Sequence, residues 1–147
     1  MSNLIFSQNC FFVFACSFLL LGCENQKYSQ CQEIIAIVNQ TTQQVKEISG
    51  TSTGKPIAPE TWLKAADSMN LAAKEIGALP IKDPQLISYQ SSLADVFRVY
   101  SESTYEAVEA RERKDRSALE LARDKANQIG KLNQDLISQI DSYCQAK

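Results

Sequence analysis

The sequence reads as an all-α protein, an up-down-up-down four-helix bundle. Three features point there. Apolar residues return at three-four spacing along four separate segments, the period of one helix face. Glycine, proline or densely charged breaks separate those segments. No stretch alternates apolar and polar residues over a useful length, as a half-buried strand does.

The first helix is predicted over Gln26–Ser49. Its stripe follows Cys31 through Ile34, Ile35, Val38, Thr41, Thr42, Val45 and Ile48. Gly50-Thr51-Ser52-Thr53-Gly54-Lys55-Pro56 ends it and is the clearest loop in the chain. The second helix begins near Pro59 or Thr61 and ends by Gly77 and Pro80. Its face is Trp62, Ala65, Ala66, Met69, Ala72, Ala73, Ile76 and Leu79, so alanine predominates and a neighbouring helix can approach closely. Asp83-Pro84 starts the third. Aspartate suits the N-cap, and proline suits the first helical position, where no amide hydrogen is needed. Its stripe is Leu86, Tyr89, Leu93, Val96, Phe97, Tyr100, Thr104, Ala107 and Val108, running to about Glu112. Ser117-Ala118-Leu119-Glu120 resembles a capping box for the fourth. Its stripe is Leu121, Ala122, Ala126, Ile129, Leu132, Leu136, Ile140 and Tyr143, ending near Cys144. No Gly or Pro separates the third and fourth helices. A tight hairpin is still expected between them, because one rod of about 60 residues has nothing to bury its stripe against.

One short segment says more about location than all four helices. Leu20-Leu21-Gly22-Cys23 closes the apolar run Cys10–Leu21 and precedes the polar Glu24-Asn25-Gln26-Lys27. It resembles the lipobox of bacterial lipoproteins, with leucine three residues before the cysteine and a small residue just before it. The run is too short for a membrane span, which needs about 20 apolar residues. Leu21-Gly22-Cys23 also does not read as an Ala-x-Ala secretory cleavage site. Residues 1–9 carry no Lys or Arg, a departure from the usual positive start. The resemblance implies a signal peptide over 1–22, cleavage before Cys23, and diacylglycerol and N-acyl lipid on Cys23. It implies a membrane-anchored protein facing the periplasm, or another extracytoplasmic space such as a thylakoid lumen.

Removal of residues 1–22 from the 147-residue chain leaves 125, enough for one compact domain. All charged residues lie after the signal, so the net charge of −2 belongs to the mature part and gives no drive toward nucleic acid. The chain has no histidine, which rules out Ser-His and Cys-His chemistry and makes ordinary zinc sites unexpected. Of the five cysteines, Cys10 and Cys16 leave with the signal and Cys23 takes the lipid. Cys31 and Cys144 remain, and an oxidising compartment favours pairing them. The bundle topology agrees, since the first helix starts at the end where the fourth finishes.

The same topology orients the molecule. The lipid, the disulfide, the Leu79–Asp83 turn and the C-terminus share one end. The Gly50–Pro59 loop and the charged tip lie at the other, about 35–45 Å away at 1.5 Å per residue. The tip residues Arg111, Arg113, Lys114 and Arg116 are the candidate partner-binding site, although Glu109, Glu112 and Asp115 interleave with them as on a solvated hairpin. Tyr89, Phe97 and Tyr100 fall on the core stripe, and Tyr105 falls off it. Glu102, Glu106 and Glu109 share a helix face, but bundle di-metal sites need Glu-x-x-His pairs, so these read as a solvent face. Nothing assembles a nucleophile, base and oxyanion hole. The expected role is a non-catalytic binding, scaffold or accessory-assembly module with a protein partner, no nucleic acid and no cofactor beyond the lipid. The alternative is a carrier or sensor of a small apolar ligand.

Overall fold

The structure is a computed structural model and describes residues 17–50 and 58–146, with side chains from Gln26 onward except that of Ser49. Four helices account for nearly all of it: α1 (Ser17–Ser49), α2 (Pro59–Ala78), α3 (Pro84–Glu112) and α4 (Arg116–Gln145). No strand occurs among the described residues. The expected signal residues 1–16 and positions 51–57 of the expected loop lie outside them.

The first difference from expectation is the start of α1. It begins at Ser17 rather than Gln26, so Leu20-Leu21-Gly22-Cys23 is helical and continuous with the bundle helix. The local reason is the absence of a strong breaker: Gly22 alone costs a helix about 1 kcal/mol, and Cys23-Glu24-Asn25-Gln26 contains no proline.

α3 begins as predicted. Asp83 is the N-cap and accepts a hydrogen bond from the Leu86 amide at 2.9 Å, with Pro84 at the first helical position. The α3–α4 hairpin forms, but by a different device from the expected Ser117 box. Lys114 adopts the left-handed conformation at φ 55°. Its amide donates to Arg111 O at 3.1 Å, and the Asp115 amide donates back to Ala110 O at 2.8 Å. That pair of bonds is a Schellman closure of α3. Asp115 then caps α4, accepting from the Ala118 amide at 3.0 Å. Three residues thus stop one helix and start the next, and Ser117 lies inside α4.

Packing follows the chain order. α3 is central and lies along both α2 and α4, α1 packs mainly on α2, and the backbones of α2 and α4 do not come together. Cys31, Ile34, Ala72, Ile76, Leu86, Leu93, Val96, Phe97, Leu136 and Ile140 form the core. Two predicted stripes shift. On α4, Leu121 and Leu132 are exposed at 69% and 53%, so they are not core. The buried line instead passes through Ala122, Asn133, Leu136 and Ile140, with Asn133 half-buried. On α2 the alanines and Ile76 are buried as predicted, while Trp62 is 42% exposed. α3 buries Gln90, Ser101, Ser103 and Ala110 beyond its predicted stripe, because it has a neighbour on two sides.

Candidate functional site

The two ends of the bundle are chemically different. At one end Cys31 on α1 is bonded to Cys144 on α4, with the Cα atoms 5.9 Å apart. Elsewhere α1 and α4 meet at few positions, so the disulfide is their main junction. The α2–α3 turn sits beside it. The Gln30 side-chain oxygen accepts from the amides of Lys82 and Asp83 at 2.6 and 3.1 Å. Tyr143 donates its hydroxyl hydrogen to the Asp83 carboxylate, whose oxygens lie 3.1 and 2.9 Å away. Lys27 donates to the carbonyls of Tyr143 and Ala146 at 3.3 and 2.5 Å, and its ammonium lies 4.9 Å from the Tyr143 ring centre. Tyr89 packs edge-on against Tyr143, with the ring centroids 5.9 Å apart. Burial first, then the Asp83 carboxylate, raise the Tyr143 hydroxyl above its ordinary pKa.

The turn, the disulfide and the C-terminus therefore share an end. Cys23 lies eight residues before Cys31 on α1, about 12 Å further along the helix axis. Its side chain is outside the described set.

The other end holds the predicted basic tip, and the structure divides it. Arg113 turns back to Glu109 at 2.9 Å. Lys114 is the left-handed residue of the turn, and Arg116 is the first residue of α4. Arg111 belongs to a groove of about 350 Å³ between α3 and α4, where Trp62 of α2 also stands. Its floor and sides include the small residues Ser103 and Ala107 on α3 and Ala122 and Ala126 on α4, together with Val108 and Leu119. The Ser103 hydroxyl donates to Val99 O at 2.7 Å, and the neighbouring Thr104 hydroxyl donates to Tyr100 O at 2.8 Å. Both hydroxyl hydrogens are thereby spent on the helix's own backbone, and the floor is apolar in effect. Arg123 of α4 lines the same groove, and no carboxylate is among its described lining residues. From Ala122 to Cys144 is about 33 Å at 1.5 Å per residue, so this groove and the disulfide are at opposite ends.

A second groove, about 470 Å³, runs between α1 and α4. It is lined by Ile34, Ile35, Val38, Ile137 and Ile140, with Asn39, Asn133 and Asp141 among its polar groups. It exists because α1 and α4 part above the disulfide. The Ala-rich face of α2 is buried against its neighbours.

The remaining candidates are occupied locally. Glu102 pairs with Arg98 at 3.0 Å and approaches Lys125 at 3.7 Å, Glu106 pairs with Lys125 at 2.9 Å, and Glu109 pairs with Arg113. Tyr105 donates to Asp67. Phe97 is core, and Tyr100 packs where Gly130 lets α4 come close. Among the described residues no group of three or more Cys, Asp or Glu could hold a metal ion, and no helix is long and apolar enough to cross a membrane.

The groove residues were hard to read from sequence. Trp62 falls on the α2 stripe and so reads as core. Arg123 stands beside Asp124 and Lys125 in α4 and carries no local signal. Only the packing of α3 against α4 puts Arg123 and Arg111 in the lining of one groove. No protein-family model, curated protein or solved structure matches this chain.

Proposed function

We propose that this chain is a lipid-anchored, non-catalytic binding module on the extracytoplasmic face of a bacterial membrane, held by Cys23 and offering its distal end to a protein partner. The signal reading over 1–22 and the Leu20–Cys23 resemblance support the anchor. A single observation carries the binding role: the half-exposed Trp62 and the arginines Arg111 and Arg123 gather around an apolar groove at the end remote from Cys23. Tryptophan and arginine are the side chains most enriched where protein interfaces concentrate their energy.

Two measurements test it. Cys23→Ala should leave the chain folded but unprocessed, or release it from the membrane; processing and membrane retention like the wild type would sink the anchor. A photo-crosslinking residue at Leu119, which lines the distal groove, should capture a protein in the native host, and the capture should disappear when Arg113 and Arg116 are replaced by glutamate. Unchanged capture in that variant would count against the distal end as the binding surface.

The groove between α1 and α4 supports the second reading, a carrier of a small apolar ligand, through its isoleucine and valine lining. Native mass spectrometry of the folded chain without any bound mass would speak against it.

A further inference from the structure

The groove between α1 and α4 carries a polar group where packing calls for an apolar one. Asn133 lies on the buried line of α4, just before Leu136 and Ile137. Its Oδ1 is buried with no hydrogen-bond partner, and no other side-chain atom among the described residues is in that position. An unpaired buried carbonyl oxygen destabilises a fold, and an aliphatic side chain there would remove the penalty. A residue that breaks a packing rule without local compensation marks a functional site. Asn133 is half-buried and lines the groove, which puts its amide against whatever fills the space.

Every described lining residue belongs to α1 or α4, and Cys31–Cys144 joins the two helices just below. On the α1 side the lining stops at Asn39, about 16 Å along the helix from Gly50. Ile35 and Val38 of α1 and Ile137 and Ile140 of α4 make the walls aliphatic. The volume, about 470 Å³, is that of a small-molecule site. Asp141 is the one charged residue in the described lining, and no lysine or arginine stands there. It lies eight residues from Asn133, about 12 Å along α4 toward the disulfide.

Resting on the carrier reading of this groove, we infer that its ligand is a neutral, aliphatic molecule with one hydroxyl head, which pairs with the Asn133 amide. The aliphatic body lies on the isoleucines and Val38 and runs from Asn133 toward the disulfide. A half-turn about the last side-chain bond of Asn133 exchanges Oδ1 and Nδ2, so the amide can accept or donate. A hydroxyl does both and satisfies either orientation. A carboxylate head meets no cation in the described lining and is repelled by Asp141. An ammonium head is drawn to Asp141, at the far end of the groove from Asn133, and leaves Oδ1 unpaired.

The test uses the full chain, isotope-labelled, in neutral detergent, with NMR signals of the Asn133 side-chain amide and the Val38 and Ile137 methyls as readouts. Four six-carbon probes are added at equal free concentration: 1-hexanol, hexanoate, hexylammonium and 1-chlorohexane. Hexanol should move all three sets of signals and bind about tenfold tighter than chlorohexane, the value of one hydrogen bond to a buried amide. Asn133→Leu should melt no lower than the wild type and bind hexanol and chlorohexane alike. Asn133→Ala, which adds no bulk, should lose the preference equally, and it decides the matter if leucine does not fit. Tightest binding of hexylammonium or hexanoate overturns the inference, as does a hexanol preference that survives in both variants. Methyl shifts without a shift of the Asn133 amide overturn it too. If hexanol and chlorohexane bind the wild type equally, only the head-group chemistry fails. If no probe moves the Val38 and Ile137 methyls, the carrier reading fails with it.

Discussion

Lys114 shows how a single backbone angle decides a connection. Its left-handed φ of 55° closes α3, and the lysine side chain gives no local compensation of the kind Asn or Asp supplies. Glycine adopts the same angle without a Cβ penalty. Lys114→Gly should therefore raise the unfolding free energy by about 1 kcal/mol, read from chemical denaturation, with the hairpin unchanged. The sequence predicts a hairpin here but points to Ser117-x-x-Glu120 as the cap, with Asp115 read only as an acid among the tip's cations. The Schellman bonds to Ala110 and Arg111 move the cap to Asp115, because they place it where its carboxylate faces the Ala118 amide. Asn133 is a residue of the opposite kind. It sits on the true α4 stripe, where its Oδ1 is buried without a hydrogen-bond partner among the described residues, and its polarity is why the stripe was misread through Leu132.

Helices in this bundle depend on their neighbours for their ends as well as their faces. The end of α2 is the clearest case. Gln90 of α3 donates to the carbonyls of Ile76 and Leu79 at 2.7 and 2.9 Å, a second hydrogen bond for each beside those from the Leu79 and Ile81 amides. Gln30 of α1 does the complementary task for the amides that follow, at Lys82 and Asp83. Both glutamines are buried polar residues, and neither was predicted to be. Gln90→Leu should cost about 1–3 kcal/mol in a thermal or denaturant melt, because it removes two hydrogen bonds of about 0.5–1.5 kcal/mol each. Helix periods were legible because three-four spacing is a property of each segment alone. The faces of α3 and α4 were legible only in part, since a helix flanked on two sides buries a wider arc than its apolar stripe marks.

Across the whole bundle, α1 is the least embedded helix, and the Cys31–Cys144 bond is its main tie to α4. Linking residues 113 positions apart removes much chain entropy from the unfolded state, worth about 4–5 kcal/mol without strain. Replacing both cysteines by serine should lower the melting temperature strongly and increase hydrogen exchange in the Gln26–Ile37 part of α1 before the α2–α3 core. Uniform exchange across all four helices would show that the bond does not act locally. The same end responds to pH. Tyr143 holds its proton more tightly in the folded chain than in the unfolded one, so its contribution is complete below pH about 10 and is lost as pH rises through the raised folded value. Stability should fall in alkali, and Tyr143→Phe should flatten that fall.

The order of residues was enough to specify four helices, their approximate limits apart from the start of α1, and the cysteine pair, because period, caps and breakers act within a few residues and the topology leaves two cysteines at one end. Assembly alone chose which flanks are covered. It exposed Trp62 and Leu132, buried Gln30 and Gln90, and set Arg123 of α4 and Arg111 of α3 in the lining of one groove. Burial and the lining of a groove are properties of surfaces that meet, and no single segment contains both surfaces.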